Sequence, residues 1–504
     1  RKHIIKFNSL RSEDILDIVN GHKTQDEIPE GVLVYSVSGR PVKARSENQQ
    51  RLIDAYNKND MLFAVGPAGT GKTSVAGAMV RTLRRLGQKL TLMAPTGRAA
   101  KVFSLKSGLP AATIHRRIYR EKAYQGLDGQ FVINNNLYHS MLFVVDESSM
   151  ISTLTADNGF GSGSLLDDLI RYVYSGQNCR LLLLGDSAQL PPVGEEEAPA
   201  LSADVLAGYG LSVYQTDLNK VVRQKSESGI LWNATSLRAL ITHEEATHLP
   251  VIRFSGFADV VRMPGNELIE SLASSYSEVG VDDTIVITRS NKRANIYTEG
   301  VRRTVIDREE RLSSGDLVMV VRNNYYWTER EARQLKEGEQ LPLTFLANGD
   351  VARVQRVRNI RDLYGFTFAD VWLVFPDYDG YEMQVTVILD SLSTEAPALT
   401  REQSEQLYQR VMEDYADLTT KSARVKALRD DPLFNAVQIK FAYAVTCHKA
   451  QGGQWSHVYL DQGYMTDDML TPDYIHWLYT AFTRATAKLF LVNWPKEQCD
   501  VWED

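Results

Sequence analysis

The segment GPAGTGKT, Gly66 to Thr73, has the spacing G-x-x-x-x-G-K-T and lies between the apolar run MLFAV and a helix-forming stretch. Glycines at those positions let backbone N–H groups close around phosphate oxygens, so Gly66, Pro67, Ala68, Gly69, Thr70 and Gly71 read as a phosphate cradle. Lys72 would then reach the β- and γ-phosphates and the Thr73 hydroxyl would ligate Mg²⁺, with Ser74 next in line on the nucleotide. A second chemical group, FVVDES, places Asp146 and Glu147 at the end of an apolar run. Asp146 suits the Mg²⁺ shell, and Glu147 suits a water that must be oriented and deprotonated. The same pair could instead cap a helix with Ser148 and Ser149. A third segment, LLLLGDSAQLPPVG, puts Asp186 and Gln189 beyond another apolar run, with Pro191 and Pro192 stiffening the exit. A glutamine there can sense a γ-phosphate and pass its presence to a neighbouring surface. The loop and the acidic pair alone specify nucleotide hydrolysis and leave kinases, GTPases, transporters and motors open.

These residues need a scaffold that delivers loops to one edge. The runs MLFAV, LTLMA, MLFVV and LLLL each end in polar or glycine-rich residues, as buried parallel strands do when functional loops leave their carboxyl ends. With the helical segment from Ser74 to Leu86 between them, they predict an α/β sheet. TIVIT (Thr284–Thr288), AYAVT (Ala442–Thr446), HVYL (His457–Leu460) and KLFLV (Lys488–Val492) repeat the pattern and predict a second sheet. From Val318 to about Lys440 the character changes to alternating, aromatic-rich strands, with Asn348-Gly349 as a hairpin turn. A Thr-x-x-Gln capping pattern at Thr400–Gln403 opens a polar, solvated helix reaching about Leu428.

A chain of 504 residues with 43% hydrophobic content can hold several cores. It has no apolar run near the ~18 residues of a membrane span. Three widely spaced cysteines show no metal or disulfide spacing, and the expectation is a cytoplasmic protein without zinc or disulfides. The net charge of −7 excludes a uniformly basic surface but permits a local groove for phosphates.

LLLLGDSAQLPPVG resembles motif III of superfamily 1 helicases, and other segments match that family in order. APTGRAAK (Ala94–Lys101) resembles motif Ia, TIHR (Thr113–Arg116) motif Ib, VVRQ (Val221–Gln224) the motif IV region, TCHKAQGGQW (Thr446–Trp455) motif V and YTAFTRA (Tyr479–Ala485) motif VI. The matches run from about Gly66 to Ala485, and HKAQG is similar to the RecD and Dda branch. That resemblance implies two RecA-like P-loop motor domains with parallel sheets, a β-hairpin pin in the first and a small SH3-like β-barrel in the second. The expected boundaries are 46–275 for the first domain (pin about 117–140), 276–318 with 432–504 for the second, and 319–431 for the barrel insert with its helical extension.

The resemblance further implies an ATP- and Mg²⁺-dependent helicase moving 5′ to 3′ on single-stranded DNA, acting at duplex junctions as a monomer, with no membrane partner. Lys72, Thr73, Asp146, Glu147 and Gln189 would lie on one lobe and Arg484 on the other, with Arg223 near the boundary; both arginines would stabilise the transferred phosphoryl. Gly453 and Gln454 would face the nucleotide. Pro95, Thr96, Arg98, His115, Thr446, His448 and Lys449 match positions lining the strand path. The stretch YREKAYQGLDGQFVINNNLYHS reads as the pin hairpin, where Tyr119, Tyr124 and Phe131 either stack on a base pair or pack the hairpin to its own domain.

The amino-terminal residues depart from this pattern. FNSLRSEDILDIVNGH and the segment leading into the phosphate loop resemble PhoH-like ATPases, so residues 1–45 form a separate segment in this reading. Gln49 and Gln50 stand sixteen or seventeen residues before Gly66, a spacing at which superfamily 1 helicases carry an adenine-reading glutamine. They fit a solvent-facing helix equally well. A PhoH-like ATPase with a nucleic-acid-linked or regulatory role is therefore the competing function.

Overall fold

The computed structural model describes residues 59–66, 72–85, 87–125, 128–154, 161–217, 228–243, 248–336, 339, 341–343 and 345–500, with the antiparallel strand pair Val32–Tyr35 and Pro41–Lys43 before them. Within these residues the chain builds two parallel sheets and a barrel.

The first sheet has six parallel strands in the order Val213–Asp217, Met61–Val65, Arg180–Gly185, Met141–Val145, Lys89–Ala94, Ala111–Thr113. Its central strands are apolar throughout because helices cover both faces. Met61, Phe63, Phe143, Leu181 and Leu183 point into one core, and Leu62, Ala64, Leu142, Val144, Leu182 and Leu184 into the other. This alternation is the two-residue period of a strand carried by residues that are all apolar.

The second sheet has five parallel strands, Val260–Met263, Ala485–Val492, Trp455–Asp461, Thr284–Thr288 and Ala444–Thr446. Its core also takes in Ile230, Ala234 and Leu237 from the helix Gly229–His243. The first domain therefore does not extend to residue 275: by residue 229 the chain already packs on the second sheet. The strand Val260–Met263 is too short to signal its partner in sequence, and only its pairing with Leu489–Val492 assigns it.

Between Thr284–Thr288 and Ala444–Thr446 the chain makes a closed barrel of Leu317–Val320, Val351–Leu363, Phe366–Phe375, Tyr381–Ile388 and Val437–Phe441. The last strand lies beyond the expected boundary at 431, because closure requires Val437–Phe441 to pair with both Leu317–Val320 and Tyr381–Ile388. Asn348-Gly349 is not a two-residue hairpin: Val351 pairs with Met319, far back in sequence, and Gly349 (φ 97°) serves a turn in which the Asp350 carboxylate accepts from the Ala347 N–H at 2.8 Å. The Thr400–Gln403 capping box is present, with bonds in both directions. The expected single solvated helix is two, Arg401–Asp414 and Lys421–Arg429, and it is not merely solvated, because Leu407, Val411 and Leu428 are buried with Phe366 and Phe368 of the barrel.

A buried ion pair ties barrel to second lobe. Arg302 donates to Asp316 through Nη2 at 2.9 Å and Nε at 3.2 Å, the Tyr443 hydroxyl donates to the same carboxylate at 3.0 Å, and the guanidinium lies 4.4 Å from the Phe441 ring centre. Charges this deep persist only when each is paired and hydrogen-bonded.

Candidate active site

Gly66 is buried at the end of Met61–Val65, where its N–H donates to the Gly185 carbonyl at 3.3 Å, and the helix Lys72–Arg85 begins beyond the loop. Pro67, Ala68, Gly69, Thr70 and Gly71, together with the side chains of Lys72, Thr73 and Ser74, lie outside the described residues, as do Gln49, Gln50 and Arg223. A strand, Met61–Val65, precedes the cradle residues and a helix begins at Lys72.

Asp146 leaves the same sheet edge, two strands away. It is 4% exposed, its N–H donates to the Met93 carbonyl at 3.0 Å, and its Oδ1 accepts the Glu147 N–H at 3.0 Å. Glu147 is half-buried with φ 53°, left-handed backbone that costs a non-glycine residue about 1–2 kcal/mol. Glu147 precedes the short turn Ser148–Met150 but makes no side-chain cap bond, and the Ser148 hydroxyl donates to the Val145 carbonyl instead. Glu147 thus supplies no cap bond, and its left-handed backbone follows directly on a buried strand end.

The loop after Arg180–Gly185 crosses to the second lobe. Asp186 is fully buried and accepts from Arg238, from the Tyr479 hydroxyl at 2.7 Å and from the Ala188 N–H at 3.2 Å. Burial alone would lower the Arg238 pKa, but Asp186 and Tyr479 outweigh it and hold the guanidinium above its usual range. The Leu190 N–H donates to Thr480 Oγ1 at 2.8 Å, and Gln451 Nε2 donates to the Leu190 carbonyl at 3.0 Å. His476 Nδ1 faces the carbonyls of Ala188 (2.9 Å) and Gln189 (3.1 Å), so this nitrogen carries the proton. Ala188 and Leu190 belong to the second lobe's hydrophobic core. Gln189 is 3% exposed, and neither its Oε1 nor the buried Ser149 hydroxyl has a hydrogen-bond partner among the described residues. Buried polar atoms left this way are costly unless a ligand or water completes them.

Arg484 follows the helix Pro472–Phe482, just past its cap residue Thr483, at 3% exposure. It donates to the Thr480 carbonyl (2.9 Å), the Gly453 carbonyl (3.2 Å) and Thr483 Oγ1 (2.9 Å). Gly453 is buried, and a side chain there would run into the Trp455 ring; Gln454 between them is half-buried.

The strand-path candidates divide. Thr96 spends its hydroxyl capping the helix Gly97–Ser107, accepting the Ala99 N–H at 3.2 Å, with Pro95 half-buried beside it. Arg98 stacks 4.6 Å from the Trp455 ring centre, and its Nη1 has no hydrogen-bond partner among the described residues; burial, helped by Arg484, lowers its pKa against Asp377 and Asp350. It thus sits at a junction between lobes and barrel rather than on an open groove. Ala99 meets Gly452, so the segments around Thr96 and Thr446 do face one another across the lobes. Thr446 makes no cap bond although it precedes the short helix Cys447–Ala450; His448 is exposed, and Lys449 reaches the Pro397 carbonyl at 3.1 Å. His115 is half-buried, its imidazole pKa lowered by desolvation, with its ring centre 5.6 Å from that of Tyr119.

The hairpin is present as Tyr119–Gln125 paired with Asp128–Ile133. Tyr119 is buried and donates to Asp168 at 2.7 Å, so it packs the hairpin to its domain and is not a stacking residue. The side chains of Tyr124 and Phe131 lie outside the described residues. Sequence reasoning missed Arg238, His476 and Thr480. An arginine inside a helix of ordinary composition gives no sign that its partner comes from the other lobe.

The chain carries two family signatures: residues 44–248 match an AAA domain and residues 441–492 a UvrD-like helicase C-terminal domain. Among individual proteins, it is 33% identical over 161 residues to the ATP-dependent RecD2 DNA helicase of Deinococcus radiodurans, covering 32% of this chain and 20% of that one. It is 31% identical over 109 residues to a PhoH-like protein of Mycobacterium leprae, covering 21% and 31% respectively. Each of these matches spans less than a third of the relative's own length. A crystal structure of Pif1 helicase from Bacteroides in complex with ADP-AlF3 and ssDNA aligns over 92% of this chain and 95% of that one, at 14% identity and TM-score 0.46.

Proposed function

We propose that the chain is an ATP-driven DNA helicase and translocase that moves 5′ to 3′ on single-stranded DNA. The observation that carries this reading is the loop from Asp186 to Leu190, which leaves the catalytic edge of the first sheet and ends inside the second lobe, on the helix that leads to Arg484. A site that only hydrolysed nucleotide would have no use for that linkage. The RecD2 similarity supports the same class.

In this reading the cradle and Lys72 hold the phosphates of ATP. Asp146 and the Thr73 hydroxyl would hold Mg²⁺, which screens the phosphate charge; the buried carboxylate at a strand end is a hard oxygen donor that fits such an ion. Glu147 orients and deprotonates the attacking water, and Gln189 Oε1 accepts from that water, satisfying its orphaned oxygen. Arg484 leaves the Thr480 and Gly453 carbonyls to meet the γ-phosphate, as Arg223 does from the boundary. Loss of the γ-phosphate releases Gln189, and the Asp186–Leu190 loop transmits the change to the second lobe. Pro95, Thr96, His115, Thr446, His448 and Lys449 contact the strand backbone without reading sequence.

Unwinding of two duplexes, one with a 5′ tail and one with a 3′ tail, tests the proposal: separation of the 5′-tailed duplex alone is expected, and separation of the 3′-tailed duplex alone would overturn the polarity. A PhoH-like single-core ATPase, suggested by the amino-terminal similarity, leaves the second sheet and Arg484 without a role. It predicts hydrolysis indifferent to oligo-dT.

A further inference from the structure

Where the barrel joins the second lobe, two lysines share one narrow pocket with the helix Asn291–Gly300: Lys440, 6% exposed on the barrel strand Val437–Phe441, and Lys449 on Cys447–Ala450. Neither ammonium meets a carboxylate among the described residues. Lys440 Nζ donates to the Thr394 carbonyl, Lys449 Nζ donates to the Pro397 carbonyl at 3.1 Å, and Asn295 Nδ2 donates to the carbonyls of Ser393 (3.2 Å) and Thr394 (3.3 Å). Three donors from separate elements thus converge on the backbone oxygens of one short segment, residues 393–397. Burial lowers the Lys440 pKa to about 8, and burial together with the Lys440 charge lowers that of Lys449 to about 8. Carbonyl dipoles compensate two adjacent ammonium groups only in part, whereas a bound anion with several oxygens would compensate both.

We propose that Lys440, Lys449 and Asn295 form a seat for a backbone phosphate of single-stranded nucleic acid, and that the carbonyls of residues 393–397 occupy the seat until the strand displaces them. The seat adjoins Thr446 and His448, so a strand lying on those residues brings a phosphate within reach of the lysines. The inference rests on the motor reading above and adds Lys440, Asn295 and the 393–397 strap, none of which that reading contains. A phosphodiester fits because the donors are two point charges and an amide, and the aromatic ring on the pocket wall, Phe441, is already taken by Arg302 and Tyr443.

The test is fluorescence anisotropy of labelled oligo-dT with the full chain at several NaCl concentrations, comparing wild type, Lys440→Gln, Lys440→Arg and the distant surface variant Lys426→Gln. Loss of one phosphate contact should flatten the plot of log affinity against log salt by about 0.7 in Lys440→Gln. Lys440→Arg and Lys426→Gln should keep the wild-type slope. A lysine that merely holds the strap would not change the slope. As a measurement free of substitution, oligo-dT should slow acylation of Lys449 in the wild-type chain relative to Lys426. If wild type binds oligo-dT while Lys440→Gln keeps its slope, the seat is refuted and the motor reading survives; if Lys449 stays equally reactive, the seat is refuted and Lys449 also leaves the strand path of the motor reading. If wild type does not bind oligo-dT at any salt concentration, both fall.

Discussion

Asp186 is the point at which the two lobes are held, and its energetics can be worked out from its partners. The carboxylate is fully buried, with Arg238, the Tyr479 hydroxyl and the Ala188 N–H as its donors. Tyr479→Phe removes one hydrogen bond to a charged group, a loss of about 1.5–3 kcal/mol. Asp186→Ala strands a guanidinium whose side chain is only 22% exposed, and breaking such a pair from one side costs about 3–5 kcal/mol. Once Asp186 is gone, the Tyr479 hydroxyl has lost that acceptor but keeps the long contact from Arg238 at 3.5 Å, so Tyr479→Phe should then cost less than it does alone. The double-mutant cycle should therefore show a coupling of up to about 1.5–3 kcal/mol, the cost of Tyr479→Phe alone setting its ceiling. Urea unfolding followed by tryptophan emission is the assay, because Trp232 lies on the helix of Arg238 and Trp477 on that of Tyr479. Additive losses, within about 0.5 kcal/mol, would refute the claim that one carboxylate clamps both second-lobe groups. The same double variant should hydrolyse ATP with a weakened response to oligo-dT, since the clamp lies on the route between the lobes.

Three further outcomes follow from the geometry. Arg484→Ala should retain binding of a fluorescent ATP analogue but lose about 10³-fold or more in oligo-dT-stimulated turnover, measured by phosphate release; turnover within tenfold of wild type would remove the arginine from the site. Gly97→Ala would drive a methyl into that of Ala347, so this overpacked contact between first lobe and barrel should cost about 1–3 kcal/mol in thermal unfolding, whereas Gly108→Ala, with open space around it, should cost only its left-handed backbone strain. Burial, with Asp377 nearby, pushes the Asp350 carboxyl up to about 7 against the Ala347 N–H and Tyr378 that favour its charge. Its folded pKa is raised, so its stabilising contribution is complete below the ordinary aspartate range and is lost as pH rises through about 7. Asp350→Asn should therefore flatten the fall in melting temperature between about pH 4 and 7, and an unchanged profile would count against that protonation.

How much of this was legible in the residues depends on the range of the interactions. Phosphate cradle, acidic pair and apolar strand runs are local signals: a glycine spacing, two adjacent carboxylates and four or five consecutive apolar residues each carry their meaning within one loop or one strand. The sheets therefore came out near their observed positions, as at Thr284–Thr288. Boundaries failed where pairing is remote. Val437–Phe441 closes the barrel only because Leu317–Val320 is left with an unpaired edge, and Val260–Met263 joins the second sheet only beside Ala485–Val492.

The site shows the same division. The proposal that Asp146, Gln189 and Arg484 carry chemistry rests on residue type and spacing together with family resemblance. That Arg98 lies on Trp455, that Tyr119 is spent on Asp168, and that Lys449 shares a pocket with Lys440 are decided by surfaces brought together from distant segments. The sequence determined which groups can bind phosphate and where strands deliver them. Only the tertiary structure decided which are already committed to a partner, because burial and hydrogen-bond completion belong to the assembled neighbours and not to any residue alone.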